Sequence, residues 1–328
     1  MACAKEVLDA SGTAIEWMQM SIGHAEYTEN GNPMPEAVVT SIRSVGAALK
    51  GPVETPVNAA YRSANVGLRR ELDLYAQLRP SRSRSGVASR SPGIDLIVIR
   101  EPTEGLYRGI EFDRGAPATL ELLDWLGRGG DAIDRDSGLS ISPLSARAAR
   151  RVFEFAFSYA RSNNRGRVTA VHKATVMRST DGLFLETGRE VASQNADVEF
   201  DDLLIDRLAL ELVLRPDQFD VLVMQNLYGD IVSDLAAGLT GGLGFAAGAN
   251  YGDAAAVFEP AHGIVRHRVG TDTANPIGAI LSGAMLLRHL GELASAERVE
   301  RAVDAALATG GAAGTAATHA SVLKFLSS

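Results

Sequence analysis

One stretch in the second half of the chain, residues 223–238, constrains the fold most strongly. It reads V-M-Q-N-L-Y-G-D-I-V-S-D-L-A-A-G, a short apolar run that breaks at Gly229 and continues with helical periodicity. The pattern predicts a strand, a turn and a helix that begins near Gly229. Asp230 and Asp234 would then project from one helix face and could hold a divalent cation, with Ser233 as a neutral ligand. Taken alone, the pattern favours another interpretation, in which Asp230 caps the helix and Asp234 is a solvated acid.

Composition narrows the class of protein. The chain has 328 residues, 46% of them hydrophobic, so it can bury a sizeable core in one large domain or two. Its net charge of −8 argues against nucleic acid and anionic membranes as partners. Cys3 is the only cysteine, which excludes an intrachain disulfide and fits a reducing compartment. Without a long apolar run or a signal-peptide pattern, we expect a cytoplasmic protein.

Local patterns predict most of the remaining elements. Residues 95–100, D-L-I-V-I-R, are the clearest buried strand, and they deliver E-P-T-E-G-L-Y to the carboxyl end, where open α/β sheets place ligand sites. Helices are predicted at 2–10, 36–45, 61–80, 145–163 and 201–214, and β structure at 14–17 and 168–177.

Two irregular segments invite other hypotheses. Residues 80–91 are rich in serine and arginine, as in some RNA-binding tracts. They lack interleaved aromatic residues that would stack on bases, so we interpret them as an exposed loop. Residues 106–145 are glycine-rich, predict no strong helix and could form a dimerisation arm outside the sheet.

Five motifs in order along the chain resemble one family, the metal-dependent decarboxylating β-hydroxyacid dehydrogenases, which act on isocitrate, isopropylmalate, homoisocitrate or tartrate. The motifs are K-G-P-x-x-T-P at 50–56, L-D-L-Y-A-x-x-R-P at 72–80, R-E-x-T-E-G-x-Y at 100–107, N-L-Y-G-D-I-x-S-D at 226–234 and F-E-P-A-H-G at 258–263, followed by N-P at 275–276. The likeness covers nearly the whole chain. It implies the two-domain α/β fold of isopropylmalate dehydrogenase, with a shared mixed sheet. A Rossmann fold is not expected, and the G-x-G-x-x-G fingerprint is absent.

The resemblance also implies domain boundaries. A large, nucleotide-side domain would comprise residues 1–74 and 241–328. A small domain for the dimer contact, the metal and the substrate would comprise 75–104 and 146–240. Residues 105–145 would be a clasp-like excursion used in dimerisation.

Five residues are implied in substrate binding. Ser63 and Asn65 resemble the isocitrate type, in which they hold the carboxylate that distinguishes isocitrate. A hydroxyl and an amide at a helix start can bind a carboxylate but would be left unpaired by an isopropyl group. Arg69, Arg79 and Arg100 match the family arginines that clamp the other carboxylates, a task suited to guanidinium forks. A surface ion-pair arginine is a reasonable alternative for each of the three alone but a poor one for all three in register.

The resemblance assigns the metal and the proton-transfer groups as well. Asp206, Asp230 and Asp234 would surround Mg²⁺ or Mn²⁺, with Asp206 supplied by the second subunit of a homodimer. The metal would polarise the C2 oxygen during hydride transfer and stabilise the enolate after CO₂ leaves. Lys173, also from the partner, would be the base for the hydroxyl proton, and Tyr107 the acid that protonates the enolate carbon.

Cofactor binding is implied at seven positions. They are Thr55 and Glu259 near the nicotinamide, His262, Gly263 and Asn275 in the adenine-nucleotide loop, and His267 and Arg268, on which cofactor choice turns. The last two favour NADP slightly, because NAD-dependent relatives usually place an acid there. A surface His-Arg pair is the alternative, and NAD stays open.

Four departures from the family pattern widen the choice of function. The sequence begins inside the helix that follows the family's first strand and G-D-G-I-G-P-E turn, Pro102 and Thr175 replace asparagines, and H-G-I-V-R-H replaces H-G-S/T-A-P. The leading hypothesis is NAD(P)-dependent, metal-assisted oxidative decarboxylation of isocitrate to 2-oxoglutarate. A sister hypothesis takes homoisocitrate, tartrate, malate or a phosphonate analogue of isocitrate as the substrate. A hypothesis of another class is a non-catalytic regulatory subunit.

Overall fold

The computed structural model describes residues 1–56, 60–61, 63–130, 132–310 and 314–328. The β-strands are β1 (Ala47–Leu49), β2 (Ala76–Arg82), β3 (Asp95–Arg100), β4 (Ile110–Phe112), β5 (Leu139–Ile141), β6 (Arg167–His172), β7 (Glu199–Leu204), β8 (Val221–Met224), β9 (Ala247–Tyr251) and β10 (Ala256–Pro260). The α-helices are α1 (Ala2–Asp9), α2 (His24–Asn30), α3 (Glu36–Val45), α4 (Ala64–Glu71), α5 (Pro117–Arg128), α6 (Ala146–Ser162), α7 (Asp181–Ser193), α8 (Ile205–Leu214), α9 (Asn226–Leu239), α10 (Ile277–His289), α11 (Leu293–Ala308) and α12 (Thr315–Leu326).

In the described part of the chain, eight strands form one mixed sheet in the order β1-β10-β9-β2-β3-β8-β6-β7, and β4 pairs with β5 apart from it. β3, β8, β6 and β7 are parallel, whereas β2 and β9 run antiparallel to their neighbours. The predicted mixed α/β fold is confirmed. The sheet joins strands from both of the expected domains, and the boundaries between those domains stay a prediction.

Alternation along the strands gives the sheet two differently covered faces. Leu96 and Val98 of β3 share a buried cluster with residues of α8 and α9. Ile97 and Ile99 point the other way, into a cluster with α6. Arg100 continues the Leu96–Val98 series, so the strand end presents its guanidinium on the face that α9 covers.

Several predicted elements are confirmed. The helix at 36–45 and the strand at 95–100 have the predicted ends, and helices occupy the predicted 2–10 and 145–163 within one residue at each end. Among the described residues, none of the helices combines the length and the apolar content that a membrane span requires.

Other predictions of local structure are wrong. The expected helix at 61–80 ends at Glu71, because Asp73 takes a left-handed backbone conformation with φ of 47° and the chain continues into β2. The expected helix at 201–214 begins only at Ile205, since the residues before it pair with β6 as strand β7. Residues 14–17 form no strand.

The segment expected to be irregular, 106–145, contains a helix of 12 residues, α5. Pro117 occupies its first turn, where the missing backbone donor costs no hydrogen bond. The same segment contains the β4–β5 pair, so it is more ordered than its glycine content indicated.

Candidate functional site

The turn between β8 and α9 sets the geometry of the site. α9 begins at Asn226, so Asp230 lies one turn inside the helix and the interpretation of Asp230 as a cap is wrong. Gly229 permits α9 to pass close to the end of β3, since a Cβ at this position would lie 2.5 Å from the Cβ of Arg100. The close approach brings Arg100 and Asp230 into an ion pair.

Arg100 is the buried centre of the site, with 1% of its surface exposed. Its Nε and Nη2 donate to the Asn226 side-chain oxygen at 2.9 and 2.6 Å, and its Nη1 donates to Gln77 Oε1 at 3.2 Å. Burial, reinforced by the charge of Arg69, lowers the pKa of Arg100 to about 10 against the opposing effect of Asp230. Arg100 therefore remains a cation at neutral pH, as an arginine that binds a carboxylate must.

Tyr107 shares the Asp230 carboxylate with Arg100. The Tyr107 hydroxyl donates a hydrogen bond to Asp230, and the Arg100 guanidinium lies 5.0 Å from the centre of the Tyr107 ring. Burial, and then the carboxylate that accepts this hydrogen bond, raise the pKa of Tyr107. Burial alone would raise the pKa of Asp230, but the charge of Arg100 and the Tyr107 hydrogen bond lower it overall. A neutral phenol thus lies beside an ionised carboxylate.

Arg79 lies near Asp230 and Asp234, and part of its guanidinium has no hydrogen-bond partner among the described residues. Arg79 is 8% exposed, and its buried Nε and Nη1 have no hydrogen-bond partner in the described part of the chain. Burial lowers the pKa of Arg79, while Glu259, Asp234 and Asp230 oppose that shift. Burial, with the charge of Asp230, raises the pKa of Asp234 despite Arg79. Because an unpaired buried donor is costly, the guanidinium of Arg79 is suited to an anion that enters the site.

Glu259 is held by a second set of buried cations. Lys50 Nζ lies 2.6 Å from Glu259 Oε2, and both side chains are less than a tenth exposed. Arg69 Nη2 lies 3.4 Å from Glu259 Oε1, and Asn250 Nδ2 donates to the same oxygen at 2.9 Å. Burial alone would raise the pKa of Glu259, but the charges of Lys50, Arg69 and Arg79 lower it strongly. Glu259 is therefore ionised and fully engaged by groups of the protein.

Gln77, which none of the sequence motifs identified, connects Arg69 to Arg100. Its Nε2 donates to Asn250 Oδ1 at 3.0 Å, and the same oxygen accepts from Arg69 Nε at 3.0 Å. Its Oε1 accepts from Arg100. Gln77 is 0% and Asn250 1% exposed, so the amides link Arg69 to Arg100 inside the sheet. The available signal was a polar residue in an otherwise apolar strand, at Gln77 in L-Y-A-Q-L and at Asn250 in A-G-A-N-Y.

Lys173 and Asp206 pair with each other, at the ends of β6 and α8. The hydrogen bond from Lys173 lowers the pKa of Asp206, whose side chain is 63% exposed. Within the described residues of a single chain, no three His, Cys, Asp or Glu side chains are arranged to hold a metal. One chain therefore brings Asp230 and Asp234 together with the arginines but does not bring Asp206 to them.

The start of α4 presents the two polar residues expected to select the substrate. Ser63 occupies the cap position without a capping hydrogen bond from its side chain. The Asn65 side-chain oxygen is buried and has no partner among the residues that the structure describes. Both precede Arg69 on the same short helix, so polar groups and a cation lie on one element.

The expected cofactor residues lie in and around two loops and on β10. His267 and Arg268 are exposed in a single 3₁₀ turn, Arg266–Arg268, and the neighbouring Arg266 binds Glu54 at 2.8 and 2.9 Å. His262 Nδ1 lies 3.1 Å from the Gly263 carbonyl oxygen. Thr55 is exposed. The side-chain oxygen of Asn275 accepts a hydrogen bond of 3.0 Å from the backbone N–H of Ile277. Exposed basic side chains in this turn could meet a phosphate, whereas Asn275 also has a structural task at the start of α10.

Within one chain, the residues supply only part of a binding site for a hard divalent cation. Asp230 and Asp234 supply oxygen donors one helical turn apart, which is the ligand type that Mg²⁺ and Mn²⁺ prefer. Asp230 is ionised beside Arg100, whereas burial and the charge of Asp230 raise the pKa of Asp234, so a cation bound by both carboxylates would favour the ionised form of Asp234. A third carboxylate from another copy of the chain would complete the donor set.

Comparison with known proteins gives one consistent result. The model of the isocitrate/isopropylmalate dehydrogenase family matches residues 1–323. A probable mitochondrial isocitrate dehydrogenase (NAD) subunit alpha of Drosophila melanogaster is 39% identical over 92% of this chain and 75% of its own length. An isocitrate dehydrogenase (NADP) of Archaeoglobus fulgidus is 37% identical over 94% of this chain and 82% of its own. The crystal structure of isocitrate dehydrogenase from Methylococcus capsulatus has a TM-score of 0.91 and 40% identity, and the match covers 100% of this chain and 95% of that one.

Proposed function

Since the chain belongs to the isocitrate/isopropylmalate dehydrogenase family, we propose that it catalyses the NAD(P)-dependent oxidative decarboxylation of isocitrate to 2-oxoglutarate. The observation that carries the proposal is the unsatisfied guanidinium of Arg79, which lies near Asp230 and Asp234 and near the cations Arg69 and Arg100. A substrate with several carboxylates supplies the anions that this arrangement lacks. Relatives of both cofactor classes carry the isocitrate dehydrogenase name.

The arginines orient the substrate in this proposal. Arg79 offers Nε and Nη1 to one carboxylate, and Arg69 and Arg100 contribute charge from rigid positions. Gln77 and Asn250 hold both guanidinium groups in place through hydrogen bonds of 3.0 to 3.2 Å. Ser63 and Asn65 provide polar contacts that a carboxylate uses and an isopropyl group would leave unpaired. Orientation by pre-formed groups lowers the entropic part of the barrier.

Proton transfer is assigned to Tyr107 and Lys173. Tyr107 keeps its proton at neutral pH, because burial and the adjacent carboxylate raise its pKa, and it is therefore available to protonate the carbon that loses CO₂. Lys173, supplied by a second copy of the chain and acting as the neutral amine, receives the proton of the substrate hydroxyl. A bound Mg²⁺ or Mn²⁺ would be held by Asp230 and Asp234 with Asp206 of the second copy, and would stabilise negative charge on the substrate oxygens.

A homodimer is part of the proposal. α8 exposes Leu210, Val213 and Leu214, and α9 exposes Leu227 and Ile231, with exposed fractions from 37% to 62%. Asp206 lies one turn before Leu210, so a partner that covers this apolar face also meets Asp206. We name these five apolar residues the α8–α9 face. Contiguous exposed apolar side chains of this kind mark interaction surfaces.

NADP is the proposed cofactor and NAD the alternative. The support for NADP is the exposed His267 and Arg268 beside Arg266, since cationic groups favour the additional phosphate of NADP. Replacing Arg268 by Gln should raise KM for NADP about threefold or more and leave KM for NAD nearly unchanged. Equal effects on both cofactors would contradict this assignment. The expected cytoplasmic location stays a prediction.

The direct test is an assay of NAD(P)H and CO₂ formation with isocitrate, Mn²⁺ and either cofactor. Homoisocitrate, tartrate, malate and a phosphonate analogue of isocitrate form the comparison panel. We expect the highest kcat/KM with isocitrate, and a clearly higher value with another member of the panel would reassign the substrate. If the folded dimer binds isocitrate with Mg²⁺ but turns over no substrate, the protein is a regulatory subunit.

A further inference from the structure

A cavity of about 730 Å³ lies on the opposite side of the sheet from Arg79 and Arg100. Its sides are formed by α6 and α10, and its floor by β2 and β9 through Leu78 and Tyr251. Consecutive strand residues point to opposite faces, so Leu78 faces this cavity while Arg79 faces the substrate site. We call it the α6–α10 cavity, and its volume is in the range of small-molecule sites.

Aromatic side chains form one wall of the α6–α10 cavity. The ring centres of Phe155 and Tyr251 are 5.1 Å apart, and those of Phe155 and Tyr159 are 6.4 Å apart. Neither tyrosine hydroxyl donates a hydrogen bond to a residue in the described ranges. Burial raises the pKa of both tyrosines, so both hydroxyls keep their protons as donors. The wall is suited to a flat ring that carries hydrogen-bond acceptors.

The charged residues around the cavity favour an anion. Its lining includes four arginines and two acids, namely Arg82, Arg84, Arg165, Arg288, Asp95 and Glu300. Arg165 and Arg288 bind the acids Asp95 and Glu300, each at 2.7 Å, and Arg84 binds Asp304 outside the lining. Arg82 is exposed and makes no ion pair with any described residue. An anionic ligand would supply Arg82 with a partner at the cavity edge.

We propose that the α6–α10 cavity binds a small aromatic carboxylate or sulfonate at a site separate from the substrate site. The ring packs against Phe155, Tyr159 and Tyr251, and the acid group accepts from the tyrosine hydroxyls and from Arg82. The proposal is independent of the identity of the substrate, because none of these residues has a part in the reaction described above.

The probe for the test is anilinonaphthalene sulfonate, an aromatic anion whose fluorescence rises in apolar sites. It is titrated into the folded full-length protein, alone and with saturating isocitrate, Mg²⁺ and NADP. We expect saturable binding of the probe to the unmodified chain that these ligands do not displace. Displacement by isocitrate or NADP would place the probe in the catalytic site and overturn the proposal.

Four substitutions locate the probe. Ser158→Trp, at an exposed position of α6 on the cavity lining, should weaken binding about tenfold by filling the entrance. Arg147→Trp, exposed on the same helix but outside the lining, is the matched control and should leave binding unchanged. Arg82→Gln and Tyr251→Phe should each weaken binding about threefold. Equal binding by all variants, or equal loss in the Arg147→Trp control, would overturn the proposal.

Discussion

The Tyr107 hydroxyl donates a hydrogen bond to the carboxylate of Asp230, the same carboxylate that pairs with the buried Arg100. Three groups of different charge are therefore held together by the end of β3, the 3₁₀ turn that follows it and the first turns of α9. Gly229 makes the arrangement possible, because any side chain there would collide with Arg100. The arrangement keeps a proton on the phenol beside an ionised acid.

Removing the Tyr107 hydroxyl should chiefly impair catalysis. In Tyr107→Phe we expect kcat to fall about 10²- to 10⁴-fold, the usual contribution of a positioned acid, while KM for isocitrate changes little. Steady-state kinetics with Mn²⁺ measure both constants. Tyr159→Phe is the control, because Tyr159 lies on α6, on the opposite side of the sheet from Arg100, and the variant should keep its activity. A kcat for Tyr107→Phe within a factor of about three of the unmodified enzyme would remove Tyr107 from the mechanism.

Gln77 should act on substrate binding through Arg69 and Arg100. Gln77→Leu removes the amide that links the Arg100 guanidinium to Asn250, so we expect KM for isocitrate to rise about tenfold and stability to fall by about 1–3 kcal/mol. Gln77→Glu restores an acceptor for Arg100 and should recover part of the binding. Gln194→Leu, the same substitution at an exposed helix end, is the control and should leave KM unchanged. An unchanged KM in Gln77→Leu, with only stability reduced, would show that Gln77 is merely structural.

Glu259 should stabilise the fold by an amount that depends on pH. Glu259→Gln leaves Lys50 buried without its counter-charge, and we expect a loss of about 3–5 kcal/mol at neutral pH. The folded-state pKa of Glu259 is lowered, so its contribution is fully present above the unfolded pKa of about 4.3 and declines progressively as pH falls from there toward the folded-state pKa. Urea unfolding from pH 7 down to pH 3 measures the difference. Glu300→Gln removes a more exposed pair and should cost at most about 1 kcal/mol. A stability difference between Glu259→Gln and the unmodified chain that grows toward low pH would contradict the lowered pKa of Glu259.

The α8–α9 face should be required for assembly. Ile231 is 59% exposed, so Ile231→Lys disturbs little within one chain but would place a charge in an apolar interface. We expect a folded monomer in sedimentation experiments, with activity lost. Val45→Lys changes an apolar residue of similar exposure, 62%, at the end of α3 and should remain dimeric and active. A dimeric Ile231→Lys variant would move the interface away from α9.

Local sequence patterns correctly predicted the elements that are determined by their own residues. β3 and α3 have the predicted ends, because one is a run of buried apolar residues and the other has an apolar face between Pro35 and Gly46. The helix prediction around Asp73 was wrong, because the residues on both sides are compatible with a helix and do not indicate the left-handed backbone conformation of Asp73. The helix prediction for residues 201–204 was wrong because D-D-L-L continues into the pattern of α8 without a break, and only pairing with β6 makes it a strand.

The sequence predicted the charged residues of the site but not the hydrogen bonds that connect them. The motifs identified Arg100, Asp230 and Tyr107 as members of one site, and the structure brings these three together. Gln77 and Asn250 were not identified, because they meet only through the antiparallel register that sets them opposite each other on β2 and β9. Such a register depends on contacts between distant segments, which the local pattern of either strand does not contain.

We propose that each active site combines Asp230 and Asp234 of one chain with Asp206 and Lys173 of another. The most direct measurement is the activity of mixed dimers made by refolding or co-expressing Asp206→Asn with Asp234→Asn chains in equal amounts. Each variant alone should be inactive. Half of the mixed population should be heterodimers with one intact site, so we expect about a quarter of the unmodified activity per chain. No recovery in a mixture shown to contain heterodimers would contradict the shared site.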